Sequence, residues 1–237
     1  MADDTIARRK FLLGAGTAVA AGLAQPAEAQ TPPASAPAAV ATPANDPQPL
    51  LVLTAAEAAF VAAAADTMIP ADALSPSGTD CGVVTFVDRQ LASAWGGGAR
   101  MYRSGPFRKA KPEHGYQLPL TPREFFAAGI AATNAWTRKL HGKDFDRLAP
   151  KDREDALKAL ESGKAELGEF NGREFLDALL TIVMEGFFAD PIYGGNKNKV
   201  SWKMIGFPGL PAVYANLIDD YRNKRYVADP QSIADFS

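Results

Sequence analysis

From Leu50 onward, apolar residues recur every three or four positions rather than alternating, which is the spacing of helices packed against a shared core. Thr54 and Glu57 form a capping box ahead of AAEAAFVAAAADTMI, an alanine-rich helix expected to stop before Pro70. Val83, Val84, Val87, Leu91 and Trp95 share one face of a second helix over 83–95. Thr121 as cap, Pro122 in the first turn and Glu124 as capping-box acid open a third, expected to end near Leu140 with Gly142 as its stop. PKDREDALKALESG, with acids early and a glycine late, predicts a short amphipathic helix over 151–162. Asn171 and Glu174 cap the next helix, in which Phe175, Leu176, Leu179, Leu180, Val183, Met184 and Phe187 make an apolar face broad enough for the centre of the core. Val213, Leu217 and Tyr221 predict a last helix over 210–224. No stretch alternates long enough for a sheet, so the pattern predicts an all-α bundle of about six helices.

Two stretches fit no helix: GGGARMYRSGPFRKAKPEHGYQLPL from Gly96 and DPIYGGNKNKVSWKMIGFPG from Asp190. Irregular segments of about 20 residues inside a compact domain are usually functional or disordered. Tyr102, Phe107, Tyr116, Tyr193, Trp202 and Phe207 argue against disorder. Aromatics among glycines and arginines suit an interface; they suit the closing of bundle ends as well.

Before Leu50 the composition changes. Arg8, Arg9 and Lys10 precede an apolar run from Phe11 to about Leu23, interrupted by glycines and too short to span a bilayer. Arg8, Arg9, Phe11 and Leu12 read as the core of a twin-arginine signal over 1–29, cut between Ala29 and Gln30 after the small-x-small step Ala27-Glu28-Ala29. That route generally carries proteins that fold, often around a cofactor, before they cross. Residues 30–49 are rich in proline and alanine and predict an extended tether. The rest, 50–237, is expected to be one domain in the periplasm.

The formal charge is -2, from 25 basic and 27 acidic residues, so no basic field exists to attract nucleic acid. No later apolar run reaches about 18 residues, so contact with a membrane is expected only through partners.

Candidate chemistry is sparse. One cysteine and two histidines cannot supply a c-type haem motif, an iron–sulfur cluster or a structural zinc site. Gly14 and Gly16 begin a dinucleotide-like pattern that fails at Val19, and Gly96-Gly97-Gly98 lacks the Lys-Ser or Lys-Thr step of a P-loop, reading instead as a helix exit. No G-x-S-x-G is present. His114 and His141 read as solvated, as do the Asp144/Asp146 and Asp219/Asp220 pairs. Glu185 interrupts an apolar helix, and a buried carboxylate there would need an ion-pair partner. Cys81 precedes a helix, whose dipole favours thiolate; it is either an inert small hydrophobe or the partner of a thiol on another chain.

LTAAEAAFVAAAADTMIP, FFADPIYGGN and the loop DPIYGGNKNKVSWKMIGFPG, together with the twin-arginine signal, resemble the small subunit, subunit 3 or gamma, of the gluconate 2-dehydrogenase family, from the signal through about Leu217. The resemblance places Asp190, Pro191, Tyr193, Gly194, Gly195, Asn196, Trp202, Lys203, Gly206, Phe207, Pro208 and Gly209 on the family loop. It implies a chain with no catalytic, cofactor-binding or metal residues of its own, in complex with a large flavin-dependent dehydrogenase. The large subunit would carry FAD, with or without an iron–sulfur cluster, and a multi-haem cytochrome c often passes its electrons to the membrane quinone pool. The twin-arginine translocase would then export the large subunit as a passenger of the small one, which answers what the chain folds around. Tyr193, Gly194, Gly195, Asn196, Trp202, Phe207 and Cys81 are the candidate partner-interface residues. A rigid loop internal to the fold is the other reading of the same residues. A stand-alone periplasmic helical ligand-binding protein or enzyme is the alternative to the whole assignment.

Overall fold

A computed structural model describes residues 49–108, 110–111, 114–211 and 213–236. The expected signal peptide and all of the expected tether but Pro49 lie outside these residues. The described part is all-α, with helices α1 (Ala55–Met68), α2 (Val83–Ala92), α3 (Pro122–His141), α4 (Pro150–Glu161), α5 (Gly172–Phe188) and α6 (Val200–Ile205). Among the described residues the only extended pairing is a bridge between Gly209 and Gln231.

The helix starts follow the local chemistry. In α1 the Thr54 hydroxyl accepts from the Glu57 N–H at 3.3 Å, while the Glu57 carboxylate accepts from the Thr54 N–H at 2.8 Å. Thr121 and Glu124 repeat this geometry at the same two distances in α3, with Pro122 in its first turn and Gly142 as its stop. The Asn171 side chain caps α5 through the N–H groups of Arg173 and Glu174.

Helix α5 lies at the centre, packed against α2, α3 and α4, and α1 crosses beside it against α2, α4 and the 3₁₀ turn Phe145–Arg147. Phe60, Phe125, Phe145 and Phe175 are fully enclosed, and their rings meet at centroid distances of 4.7 Å (Phe60 and Phe145), 6.1 Å (Phe60 and Phe175) and 6.4 Å (Phe125 and Phe175).

Two expectations fail here. The predicted helix over 210–224 does not form: the segment holds only a 3₁₀ turn at Ala215–Leu217 followed by further turns. Val213 is 70% exposed and Tyr221 packs on Tyr226 of the same segment rather than on the core, and without core packing a segment of this length is a marginal helix. The sixth helix is instead α6, inside the second loop. The apolar face of α5 is also narrower than expected, because Leu180 and Met184 are 45% and 38% exposed while Ile182 and Gly186 complete the buried stripe.

One buried charge escaped the sequence reading. Asp88 on α2 is almost wholly enclosed, and its carboxylate accepts from the N–H groups of Leu51, Val52 and Leu53 at 2.6, 3.0 and 2.8 Å. A carboxylate bound by three backbone donors satisfies the requirement for burying it. It pins residues 51–53, just ahead of α1, to α2.

Candidate partner interface

The loop from Asp190 to Gly209 is built around two polar side chains that face inward. Asn196, fully buried with φ of 44°, donates from Nδ2 to the Ala189 carbonyl at 2.9 Å and accepts at Oδ1 from the Ser201 N–H at 3.0 Å. One side chain thereby joins the end of α5 to the start of α6. Trp202 donates from Nε1 to the Phe188 carbonyl at 2.9 Å. These two bonds satisfy carbonyls that the end of α5 leaves without an intrahelical partner.

Gly195 makes the close approach possible. A Cβ on it would stand 2.0 Å from the Gly186 carbonyl oxygen of α5, so any other residue would push the loop off the helix. The Lys197 N–H donates to the Cys81 carbonyl at 3.0 Å and ties the loop to the turn that leads into α2. The C-terminal segment then closes over the loop. Leu210 donates to the Gln231 carbonyl and Gln231 to the Pro208 carbonyl, at 2.9 and 3.0 Å. Lys199 bonds the Pro230 carbonyl and the Asp235 carboxylate, and Asp190 accepts from the Ile233 N–H.

With Asn196 and Trp202 turned inward, apolar side chains are left outside beside the exposed Lys197, Asn198 and Lys203. Ile192, Tyr193, Met204, Ile205 and Phe207 are all exposed, and Phe207 stands edge-on to Trp202 at 5.1 Å. The candidate interface therefore divides in two. Tyr193 and Phe207 are on the outside, whereas Gly195, Asn196 and Trp202 form the frame that presents them, with Gly194 half-buried between.

The family model described as gluconate 2-dehydrogenase subunit 3 matches residues 55–209, from the first residue of α1 to the last glycine of this loop. The chain belongs to that family. The family is defined by a subunit of a multi-subunit gluconate 2-dehydrogenase, so partner subunits come with membership. No curated protein and no solved structure matches the chain. The match of the subunit 3 family stops at Gly209, and the segment that closes over the loop, 210–236, lies beyond it.

Cys81, the remaining interface candidate, is in the core of this subunit 3 domain, where its S–H points to the Pro76 carbonyl at 3.7 Å. The expectation of a thiolate favoured by the helix end is corrected. Burial pushes the thiol pKa up, and the nearby Asp80 and Asp66 add to the rise. We therefore expect native protein to stay unlabelled by a thiol reagent and to react fully in denaturant, as followed by mass spectrometry; rapid native labelling would show that Cys81 is accessible for pairing with another chain.

Glu185 is a second correction. It is exposed rather than buried, and no ion pair or hydrogen bond reaches its carboxylate among the described residues. Its carboxyl is nevertheless partly withdrawn from water, and that desolvation raises its pKa. His114 and His141 are exposed, Asp144 accepts from Arg138 at 2.5 Å, and Asp219 accepts from Arg222 at 2.8 Å on a solvated surface. Gly96-Gly97-Gly98 leads out of α2 through turns. In the first loop Tyr116 stacks on Phe125 at 3.9 Å with the rings 6° apart, while Tyr102 faces solvent. Among the described residues no group of three or more His, Cys, Asp or Glu is placed to hold a metal ion, and no helix is long and apolar enough to cross a membrane.

Proposed function

We propose that this chain is the non-catalytic small subunit of a periplasmic flavin-dependent sugar or sugar-acid dehydrogenase, acting as export escort and structural partner of the large subunit. FAD, with or without an iron–sulfur cluster, belongs to the large subunit in this reading, and haem c to a cytochrome subunit that links the complex to the inner membrane. The chain supplies the twin-arginine signal through Arg8 and Arg9, and the large subunit crosses already folded around its cofactor.

The observation that carries the reading is the construction of the family loop. Asn196 and Trp202 brace it against the end of α5, while Tyr193 and Phe207, with Ile192, Met204 and Ile205, stand exposed on the braced frame. Rigid aromatic side chains held outward are the kind of residue that dominates binding energy at protein interfaces, since little entropy is lost in ordering them.

The test is a pull-down. The tagged full chain, co-expressed with a flavoprotein large subunit, is recovered from the periplasm and the eluate is read for a flavin absorption spectrum. We expect a stoichiometric flavoprotein in the eluate and its loss with a Tyr193→Ala/Phe207→Ala chain, on the order of 10² in affinity for two anchors. A chain recovered alone, beside a separately exported and active flavoprotein, would overturn the reading.

A further inference from the structure

A second surface, away from the family loop, carries a different chemistry. Where α2 ends and α3 begins, Trp95, Tyr116 and Phe126 wall a cleft whose other side is the outward face of α5, with the carboxylates of Glu174, Asp177 and Glu185 along it. Positions 174, 177 and 185 fall on one stripe of a helix. The cleft holds about 270 Å³, below the about 300–1,000 Å³ of small-molecule sites, and suits one long side chain better than a free ligand.

Three features specify the occupant. The lining contains three acids and no lysine or arginine. None of the three carboxylates has a hydrogen-bond or ion-pair partner among the described residues. The walls are aromatic, and Tyr116 is fixed in place by its stack on Phe125 and by donating its hydroxyl to the Leu120 carbonyl at 3.2 Å. A planar cation with an aliphatic stem meets all three conditions, because guanidinium groups stack on aromatic faces and pair with carboxylates in the same pose.

We propose that this cleft is a second docking point for the flavoprotein subunit and receives one of its arginine side chains, with the guanidinium on Glu185, the stem against Trp95 and Tyr116, and Asp177, about 12 Å further along the same stripe of α5, adding longer-range attraction. The inference rests on the subunit reading above and adds to it a site and a chemistry. Partial desolvation of Glu185 fits this role, since a carboxyl already drawn out of water without a countercharge gains most when a cation arrives.

The test uses the full chain in its complex with the flavoprotein. Asp177→Asn/Glu185→Gln is compared with Asp219→Asn/Asp220→Asn, a pair of equal charge change on another segment, and affinity is measured at low and high salt. At low salt we expect the cleft pair to raise Kd on the order of 10-fold, with the gap closing at high salt, and the control pair to match wild type. Glu185→Arg is expected to weaken binding further, and circular dichroism melts of the cleft variants should coincide with wild type, since the altered cleft carboxylates hold no internal bond. A cleft pair with wild-type Kd and wild-type salt dependence would overturn the inference while leaving the subunit reading standing. Absence of any complex with the wild-type chain would overturn both.

Discussion

Trp202→Ala is expected to lower the stability of the domain by about 3–5 kcal/mol, the range for removing a large buried aromatic. The indole is 6% exposed and does three things at once. It donates to the Phe188 carbonyl at the end of α5, it backs Phe207 at 5.1 Å, and it packs where a Cβ on Gly209 would approach its Cζ3 to 2.8 Å. Alanine leaves a cavity on the last and an unpaired carbonyl on the first. Urea denaturation read by circular dichroism measures the loss. Trp202→Phe separates the two contributions, because it keeps most of the apolar volume and removes the donor, for about 1–2 kcal/mol. A Trp202→Ala chain as stable as wild type would show that the loop does not depend on its inner frame.

Gly129→Ala is the second substitution expected to act strongly, through the bundle itself. A methyl group added on this residue of α3 would lie 2.2 Å from Cδ2 of Phe175. The ring cannot move aside, because Phe60, Phe125, Phe126 and Phe170 surround it at centroid distances of 6.1 to 6.4 Å. Overpacking of this kind costs about 1–3 kcal/mol or more, despite the gain in helix propensity from alanine. Gly97→Ala is the matched control: its added methyl would meet nothing nearer than 3.6 Å, and its effect should stay within about 0.5 kcal/mol. Thermal melts of the two variants should therefore separate clearly, and equal melting temperatures would contradict the packing described.

What could be read in the sequence was the local chemistry of helix ends. Thr54 with Glu57, and Thr121 with Pro122 and Glu124, specify their caps within four residues, and the structure forms both. What could not be read depends on which neighbour covers a face. Val213, Leu217 and Tyr221 have helical spacing, but Val213 is 70% exposed and Tyr221 meets Tyr226 of the same segment rather than the core, so the spacing alone does not make a helix. Leu180 and Met184 extend an apolar stripe beyond the width its neighbours cover. Asp88 left a signal that went unread: it sits four residues after Val84 and three before Leu91, a charge on the apolar side of α2 and thus a buried acid needing donors. The family loop was legible as a unit, while its division into an inner frame and an outer surface required the directions of Asn196 and Trp202. The cleft beside α5 draws on 95, 116, 126 and 174–185, and no local pattern joins residues so far apart.

An escort must carry its passenger, and that is the most direct test. Cells co-expressing the flavoprotein with either the wild-type chain or Arg8→Lys/Arg9→Lys are fractionated, and dye-linked dehydrogenase activity is measured in periplasm and cytoplasm. The account predicts periplasmic activity with the wild-type chain and activity confined to the cytoplasm with the double substitution, since on the proposed reading the signal of this chain addresses the pair to the translocase. Equal periplasmic activity in both strains would contradict it.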